Sequence, residues 1–336
     1  MKSKLYKGLS FAVKSVPQTL VTKFFGQITP IFYLHRLSDT NPSAQTKYIE
    51  HVEWCLQYIR KNKYKPITLK QYSDSIRNQQ KLPEKSVVFT LDDGFSDQCE
   101  IAEPLFSSYE IPYTCFVITD FLDNKIWPWD DQITYLIRNS NRQNLSLSTP
   151  NGSVIDLNLD GQENCDKSIT LLRRSLKSQN QDLLYQWLEN SYDKFEVSRP
   201  ETIPEQFKPM TWSQAQSLID KGHDIAPHTV SHRILSQLSE IEAHNEIDKS
   251  FKRVNLKLKG AQNLFAYPTG RKEDFTTREI STLKSIGAEC AVSTTPAHAQ
   301  MGTENFTIPR YSLPENRFDF IQYLSFFEHL KQRVKR

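Results

Sequence analysis

Short runs of apolar residues recur along the chain and predict β-strands. Most of these runs are unbroken rather than alternating, which is typical of strands buried on both faces of a parallel sheet. The predicted strands are Thr29–Leu37, Lys65–Leu69, Ser86–Leu91, Tyr113–Thr119, His223–Pro227, Leu264–Tyr267, Glu289–Thr294 and Phe306–Leu313.

Between these runs, apolar residues recur at helical spacing. Ser239 and Glu242 stand three residues apart at the start of one such pattern, which is the spacing of a capping box. Because strands and helices alternate, the chain is predicted to have an α/β fold, either a βα barrel or a doubly wound sheet. The predicted helices are Gln45–Asn62, Ser96–Tyr109, Ser213–Lys221, Ser239–Lys259 and Thr277–Ile286.

The region at about 121–210 breaks this alternation. It contains little β pattern, a polar stretch at Asn139–Asp160, and helical patterns at Lys167–Ser178 and Gln181–Phe195. We interpret it as a mostly helical insertion into one catalytic domain at 27–315. An amphipathic pattern at 1–26 and a basic one at 316–336 predict a further helix at each end.

Composition narrows the classes of function. The 42 basic and 39 acidic residues give a net charge of +3, which is too small to indicate a nucleic-acid-binding protein. The 5 cysteines are scattered and form no C-x-x-C pair, which favours a reducing compartment. The chain shows neither a secretory signal pattern nor an apolar window long enough to span a membrane.

These absences predict a cytoplasmic protein. The basic ends are suited to peripheral contact with the inner membrane face, whereas the alternative is an N-terminal helix that packs on its own domain. The sequence gives no indication of the oligomeric state.

The strongest local signal is Thr90-Leu91-Asp92-Asp93-Gly94, which ends the predicted strand Ser86–Leu91. Two acids buried at a strand end cost several kcal/mol unless a cation or hydrogen-bond donors compensate them. In α/β barrels, active sites form at this edge of the strands. The alternative is an ordinary loop start in which an aspartate caps the next helix.

A second strand end carries His228 and His232, four residues apart. On a helical turn this spacing places both imidazoles on one face, where they could hold one divalent cation. Pro227 disfavours helix before it, so the turn would begin at His228. Such pairs also arise by chance, but a neighbouring strand end with two acids favours a shared site.

A third strand end turns tightly through Tyr267-Pro268-Thr269-Gly270. A turn of this kind can point backbone N–H groups inward as an oxyanion hole. Pro-x-Gly also marks many ordinary turns, so this segment alone indicates little.

Together these segments resemble the polysaccharide deacetylase family (carbohydrate esterase family 4). That family has the segments Thr-Phe-Asp-Asp-Gly, His-Ser/Thr-x-x-His and Arg-x-Pro-x-Gly in this order. The first two agree closely with Thr90–Gly94 and His228–His232, whereas the third departs because Ala266 stands where many members have arginine. The resemblance covers roughly 27–120 and 205–315, and it implies a distorted (β/α) barrel of about seven strands.

The resemblance also implies a metal-dependent deacetylase. Asp93, His228 and His232 would hold the metal, and Asp92 would be the general base that takes a proton from metal-bound water. The Thr269 N–H would be an oxyanion donor. Two histidines and one carboxylate suit Zn²⁺ best and also accommodate Co²⁺, Ni²⁺ or Fe²⁺.

The general acid has several candidates. Many family members draw it from a Leu-x-His segment near the C-terminus, which is not clearly present here. We favour His35, at the end of the first predicted strand. The arrangement resembles a circularly permuted branch, including poly-N-acetylglucosamine deacetylases, that carries a Tyr-His segment near its N-terminus. His298, His329 and a purely structural His35 are the alternatives.

Other residues are candidates for substrate binding. Trp129 could stack on a sugar ring and Asp130 could bind a hydroxyl, or both could anchor the insertion. Tyr267 and Pro268 are candidates together with Thr269, because they belong to the same turn, which would bind the oxyanion or the substrate. Arg310 could pair with Asp92, a role that Ala266 leaves vacant, or form a structural ion pair.

The sequence therefore predicts removal of N-acetyl groups from amino sugars of a cell-surface glycan or its precursor. Metal-activated water attacks esters and amides alike, so an O-acetyl esterase or a non-sugar amidase on the same fold are alternatives. A third alternative is a glycan-binding protein without catalytic activity. The intact Asp92 argues against it, because binding alone needs no base.

Overall fold

The computed structural model describes residues 27–38, 42–300, 302–325 and 328. The predicted helix at 1–26 and His329 lie outside these ranges, and the predicted helix at 316–336 lies only partly inside them. Within the described ranges, no helix is both long and apolar enough to cross a membrane. Contact of the basic ends with a membrane stays a prediction.

A parallel sheet built around one fully buried strand organises the fold. The strands are β1 (Ile28–Thr29), β2 (Ile31–Leu34), β3 (Lys65–Pro66), β4 (Ser86–Leu91), β5 (Thr114–Val117), β6 (Asn144–Ser148), β7 (Val154–Asn158), β8 (Asp224–Pro227), β9 (Leu264–Ala266), β10 (Cys290–Val292), β11 (Ala299–Gln300) and β12 (Tyr311–Ser312). The order in the main sheet is β12-β2-β4-β5-β8, with β3 also paired to β4. Every residue of β4 is buried, as expected for an unbroken apolar run at the centre of a parallel sheet.

The other parallel pair, β9 and β10, lies beside this sheet. On one side, the Gln262 N–H donates to the Ile225 carbonyl of β8 at 2.8 Å. On the other side, Ile308 forms an isolated bridge, in which its N–H donates to the Ala291 carbonyl at 3.0 Å and its carbonyl accepts from the Ser293 N–H at 2.8 Å. One buried cluster contains residues from both sets of strands, including Ile31, Val88, Phe116, Ala226, Leu264 and Val292. The α/β fold is confirmed. The strand pairing among the described residues does not form a closed ring, so the seven-stranded barrel stays a prediction.

Helices cover the sheet close to where their patterns predict them. The α-helices are α1 (Pro42–Lys61), α2 (Leu69–Arg77), α3 (Glu103–Ser108), α4 (Thr119–Leu122), α5 (Trp129–Asn139), α6 (Gln162–Lys177), α7 (Leu184–Glu189), α8 (Ser191–Phe195), α9 (Trp212–Asp220), α10 (Glu240–Lys257), α11 (Thr277–Ser285) and α12 (Arg317–Tyr323). A π-helix (Gln98–Ala102) precedes α3, and 3₁₀ turns lie at Glu205–Phe207 and Leu235–Gln237.

The predicted capping box of α10 is only half formed. The Ser239 side chain accepts a hydrogen bond from the Glu242 N–H at 3.3 Å, as the spacing predicts. The Glu242 carboxylate does not return the bond to the cap, because it pairs instead with Arg233 at 2.9 Å.

Residues 127–200, which we call the accessory segment, connect β5 to β8 and contain α5–α8, β6 and β7. They have a hydrophobic cluster of their own, with Trp129, Leu172 and Phe195 among its members. The antiparallel hairpin of β6 and β7 was not predicted. The limits proposed for the insertion and the end helices stay a prediction.

Candidate active site

Asp92 and Asp93 end β4 in a turn that requires an unusual backbone. Asp93 has φ +83° and Gly94 has φ +86°, both in the left-handed region. A Cβ atom on Gly94 would lie 2.8 Å from the Leu122 side chain, so only glycine fits there. Both aspartates are consequently held at the carboxyl edge of the sheet, and both are buried.

Arg310 neutralises Asp92. The Arg310 Nη1 and Nη2 atoms each donate to one Asp92 carboxylate oxygen at 2.8 Å, and Nη1 also donates to the Thr90 hydroxyl. Arg310 is completely buried, and its Nε donates to the Ser293 carbonyl at 3.1 Å. Burial is the largest single influence and raises the pKa of the Asp92 carboxyl, but the charge and hydrogen bonds of Arg310, together with the nearby His228 and His35, lower that pKa to about 2. Asp92 is therefore ionised at neutral pH, and Arg310 contacts it rather than lining a substrate surface.

His228 and His232 converge through an irregular turn. We expected a helical turn, but residues 228–234 are not helical, and Thr229 (φ +68°) and His232 (φ +57°) are left-handed. The Nδ1 atom of His228 lies 2.7 Å from the Ala266 carbonyl oxygen, which makes it the donor and leaves Nε2 free to face Asp93. The two imidazole rings are therefore brought together by this irregular turn and not by the periodicity of a helix.

Asp93, His228 and His232 form one cluster. The Nε2 atoms of His228 and His232 lie 3.5 Å and 3.4 Å from the Asp93 Oδ1 atom. One candidate ligand atom from each residue lies within 4.8 Å of the others. Burial lowers the pKa of His228 to about 4 and also lowers that of His232, so both imidazoles are neutral at pH 7.

This cluster fits a divalent metal ion. The Asp93 Oδ1 atom is buried and has no hydrogen-bond partner among the described residues, and burial raises the pKa of Asp93. A buried acceptor in this state costs free energy unless a cation compensates it. Two neutral imidazoles and one carboxylate are the donor set that such a cation takes.

Glu246 on α10 binds the backbone of residues His228–His232, which we call the histidine turn. Its Oε2 atom accepts hydrogen bonds from the Val230 N–H at 3.0 Å and the Ser231 N–H at 2.8 Å. Its Oε1 atom accepts from the Ser231 hydroxyl and from Arg233 at 2.8 Å. Sequence reasoning did not single out Glu246, because one acid in a charged amphipathic helix carries no local signal.

The accessory segment supports the same turn from the other side. The Tyr185 hydroxyl donates to the Ser231 carbonyl at 2.7 Å, and the Trp129 Nε1–H donates to the His232 carbonyl at 3.1 Å. Trp129 is fully buried within the cluster of the accessory segment. Its ring is therefore closed to a sugar in this structure, and the geometry favours its anchoring role over stacking.

The third turn presents backbone rather than side chains. Thr269 is left-handed (φ +54°), its hydroxyl donates to Asp274, and none of the backbone hydrogen bonds among the described residues involves its N–H. Tyr267 is buried, stacks on Phe275 at 3.8 Å and donates to the Phe306 carbonyl, so its side chain does not face the cluster. Pro268 is also buried and shapes the turn.

His35 lies at the end of β2 with an exposed side chain. The Gln98 Nε2 atom donates to the His35 carbonyl at 2.7 Å and to the Asp92 carbonyl at 2.6 Å, so one side chain ties the two strand ends together. Asp97 fixes the next residues by accepting from the Leu37 and Ser38 N–H groups at 2.7 Å. His35 is near enough to offset part of the burial effect on the pKa of Asp93. Its role as acid stays a prediction.

The two remaining candidates, Asp130 and His298, have different surroundings. Burial is the largest influence on the pKa of Asp130, and the charges of Arg173 and His232 lower that pKa to about 2, which places Asp130 near His232. The Nε2 atom of His298 lies 2.7 Å from the Tyr323 carbonyl oxygen, and its Nδ1 lies 3.2 Å from the Tyr311 hydroxyl. His298 is thus engaged in packing α12.

A family model described as polysaccharide deacetylase matches residues 79–290, more than half of the chain. The chain belongs to the polysaccharide deacetylase family. YxkH of Bacillus subtilis (strain 168), described as a putative polysaccharide deacetylase, is 30% identical over 98 residues, which are 29% of this chain and 34% of that protein. The chain therefore aligns with about a third of the length of this curated relative.

Solved structures of deacetylases share the fold of this family member. Streptococcus pyogenes PplD in complex with acetate has a TM-score of 0.56 at 16% identity, covering 89% of this chain and 98% of that one. IcaB from Ammonifex degensii has a TM-score of 0.54 at 14% identity, covering 89% and 96%. The deacetylase domain of BpsB from Bordetella bronchiseptica has a TM-score of 0.50 at 13% identity, covering 85% and 96%. At these identities the likeness concerns the fold.

Proposed function

We propose that this polysaccharide deacetylase is a metal-dependent hydrolase that removes N-acetyl groups from amino sugars of a cell-surface glycan or its precursor. The observation that carries the proposal is the convergence of Asp93, His228 and His232 next to an ionised Asp92. A glycan-binding protein would need neither the metal ligands nor a base beside them.

Asp93, His228 and His232 would hold the metal. A divalent ion bound there would supply a Lewis acid for a water molecule and for the acetyl carbonyl. Zn²⁺ suits the donor set best, and Co²⁺, Ni²⁺ and Fe²⁺ also fit it.

The protein's own groups would handle the protons and the developing charge. Asp92 accepts the proton of the attacking water at a carboxylate oxygen, and Arg310 keeps that carboxylate ionised and fixed in orientation. The Thr269 N–H donates to the oxygen that gains charge as the carbonyl is attacked. The exposed His35 imidazole then gives a proton to the leaving amine, so that an acetate and a free amino sugar depart.

Acetate release from N-acetylglucosamine oligomers tests this function. We expect release by the metal-loaded protein, loss of release after chelation, and recovery when Zn²⁺ or Co²⁺ is restored. A circular dichroism spectrum of the chelated protein controls for unfolding.

Other outcomes are also decisive. If acetate is released from O-acetylated glycans alone, the bond that the protein cleaves is an ester and not an amide. If no acetylated glycan releases acetate, the result counts against a deacetylase. Full activity in the chelated protein would contradict the metal requirement.

A further inference from the structure

A basic cleft lies beside the candidate active site. It has a volume of about 600 Å³ and lies between α6 of the accessory segment and the residues that follow the Thr269 turn. We call it the α6 cleft, and its charged and apolar lining includes Leu171, Arg174, Lys177, Arg271, Glu273 and Asp274.

The cations of the α6 cleft lack carboxylate partners. Among the described residues, no carboxylate oxygen forms an ion pair with Arg174, Lys177 or Arg271. The Asp274 carboxylate is already engaged, because it accepts from the Thr269 hydroxyl and from the Arg271 N–H at 2.8 Å. By contrast, Arg173, one residue before Arg174, donates to the Asp130 carbonyl at 2.6 Å. Among the described residues the cleft therefore has three cations without ion pairs, Arg174, Lys177 and Arg271, against one carboxylate without an ion pair or a hydrogen bond, that of Glu273.

The charged side chain of Lys177 is partly removed from water, which costs free energy that a bound anion would offset. This side chain is half-buried, and burial lowers its pKa, as do the charges of Arg271 and Arg173, whereas the charges of Asp130 and Asp274 raise it. A partly desolvated ammonium group without a partner is destabilised relative to water. An anion in the α6 cleft would compensate that charge.

The α6 cleft adjoins the candidate active site at two points. After burial and Arg173, the charges of His232 and Lys177 are the next influences on the pKa of Asp130, so Asp130 lies near both. The charge of Arg271 is also felt by Tyr33, whose ring lies 4.9 Å from the Arg310 guanidinium beside Asp92. Asp274, which lines the cleft, also accepts a hydrogen bond from the Thr269 hydroxyl, so the cleft borders the turn that carries the proposed oxyanion donor. We therefore expect the cleft to receive a sugar that neighbours the one at the metal cluster.

We propose that the α6 cleft is a subsite for a negatively charged group of the glycan, a carboxylate or a phosphate, carried next to the sugar that loses its acetyl group. Arg271 can bind either group with two parallel hydrogen bonds, and Lys177 adds a point charge. Leu171, 47% exposed at the edge of the cleft, offers an apolar contact to the face of the sugar ring. This inference rests on the proposed function, and it narrows the substrate to an acidic glycan.

Three oligomers, one neutral and two that carry different acidic groups, test the subsite. They are a neutral N-acetylglucosamine oligomer, an oligomer that alternates N-acetylglucosamine with glucuronic acid, and an N-acetylglucosamine oligomer bearing a phosphate monoester. We expect the metal-loaded protein to have a higher kcat/KM for at least one acidic oligomer than for the neutral one. The acidic oligomer that is preferred identifies a carboxylate or a phosphate.

Charge-removing variants then connect the preference to the cleft. We expect Lys177→Gln and Arg271→Gln each to lower the ratio of acidic to neutral kcat/KM about tenfold. Lys167→Gln is the matched control, because Lys167 is also on α6 but is exposed and paired with Glu163. We expect it to leave the ratio unchanged. No preference in the unmodified protein, or equal losses on acidic and neutral oligomers, would overturn the subsite.

A binding measurement separates failure of the subsite from failure of the proposed function. If no oligomer releases acetate, the proposed function is wrong. Calorimetric titration with the glucuronic acid oligomer and the phosphate-bearing oligomer then tests the cleft directly. Binding that Arg271→Gln weakens about tenfold supports the subsite, and absence of binding to both acidic oligomers refutes it.

Discussion

The turn after β4 and the turn after β8 supply the residues of one cluster but are held in different ways. The sheet and its rim hold Asp92 and Asp93, through Arg310, Gln98 and a glycine that no other residue can replace. The histidine turn depends on side chains from outside the sheet, namely Glu246, Tyr185 and Trp129. The first turn is thus built for chemistry at a rigid edge, whereas the second has its geometry set by neighbouring helices.

Asp92→Asn should have the largest effect. It removes the base but not the metal ligands, so we expect kcat/KM for acetate release to fall by at least about 10²-fold. Metal content, measured by elemental analysis, should stay near that of the unmodified protein. Unchanged activity would contradict the mechanism, and loss of the metal would mean that Asp92 also supports metal binding by the adjacent Asp93.

Glu246→Gln should weaken metal binding, because it disturbs the turn that carries His228 and His232 and leaves the turn that carries Asp93 unchanged. Partners that orient metal ligands typically contribute about 10-fold to 100-fold in affinity, and the amide cannot accept all the bonds that the carboxylate accepts. The metal dissociation constant should therefore rise by about tenfold or more. Glu242→Gln is the matched control, because Glu242 pairs with Arg233 but has a 40% exposed side chain and does not contact the turn. Equal effects of both changes would contradict the positioning role.

Acid should destabilise the protein through His223, which lies just before β8 and is outside the candidate metal cluster. Burial lowers the pKa of His223 to about 4, and its Nδ1 accepts a hydrogen bond from the Tyr113 N–H. Between pH 7 and 5.5, the unfolded chain gains a proton at this residue and the folded one does not, so stability falls. We expect His223 to contribute about 1 kcal/mol to this loss, measured by urea unfolding of the metal-free protein, in which His228 and His232 add losses of the same sign.

His223→Gln should remove that part of the pH dependence. The glutamine side chain retains an acceptor for Tyr113 but does not titrate. An identical loss between pH 7 and 5.5 in this variant would assign the acid sensitivity to other groups.

Tyr185→Phe should have the smallest effect, because it removes a single hydrogen bond from the accessory segment to the histidine turn. Such a bond contributes about 1 kcal/mol or less to local stability, so we expect metal affinity to fall about threefold. Tyr192→Phe is the control, because its hydroxyl bonds to Gln132 within the accessory segment. If both changes lower metal affinity equally, the accessory segment acts through its overall stability.

Much of the site was accessible from the sequence, because its residues follow recognisable strands. Asp92, Asp93, His228 and His232 stand directly after unbroken apolar runs, and parallel strands end at a common edge. The pairing of Arg310 with Asp92 was one of two alternatives, suggested because the motif lacks its usual arginine, and this contact is present.

The rest depends on contacts that no local pattern records. Glu246 and Tyr185 act on a turn that is distant in the chain, and Trp129 and Tyr267 are buried by packing that a motif does not reveal. The histidine spacing was wrongly interpreted as helical, because four-residue spacing also arises in a turn with left-handed residues. The missed hairpin had a signal, since Asn144–Ser148 alternates before the turn dipeptide Asn151-Gly152.

The Arg310–Asp92 pair has a consequence for synthesis of the chain. The two residues are 218 positions apart, so Asp92 leaves the ribosome long before its partner exists. At about 5–20 residues per second, this interval lasts roughly 10–40 s, during which a carboxylate meant for the interior has no counter-charge. Arg310 must be synthesised before its pair with Asp92 can form, so we expect shortened products that end before Arg310 to be inactive.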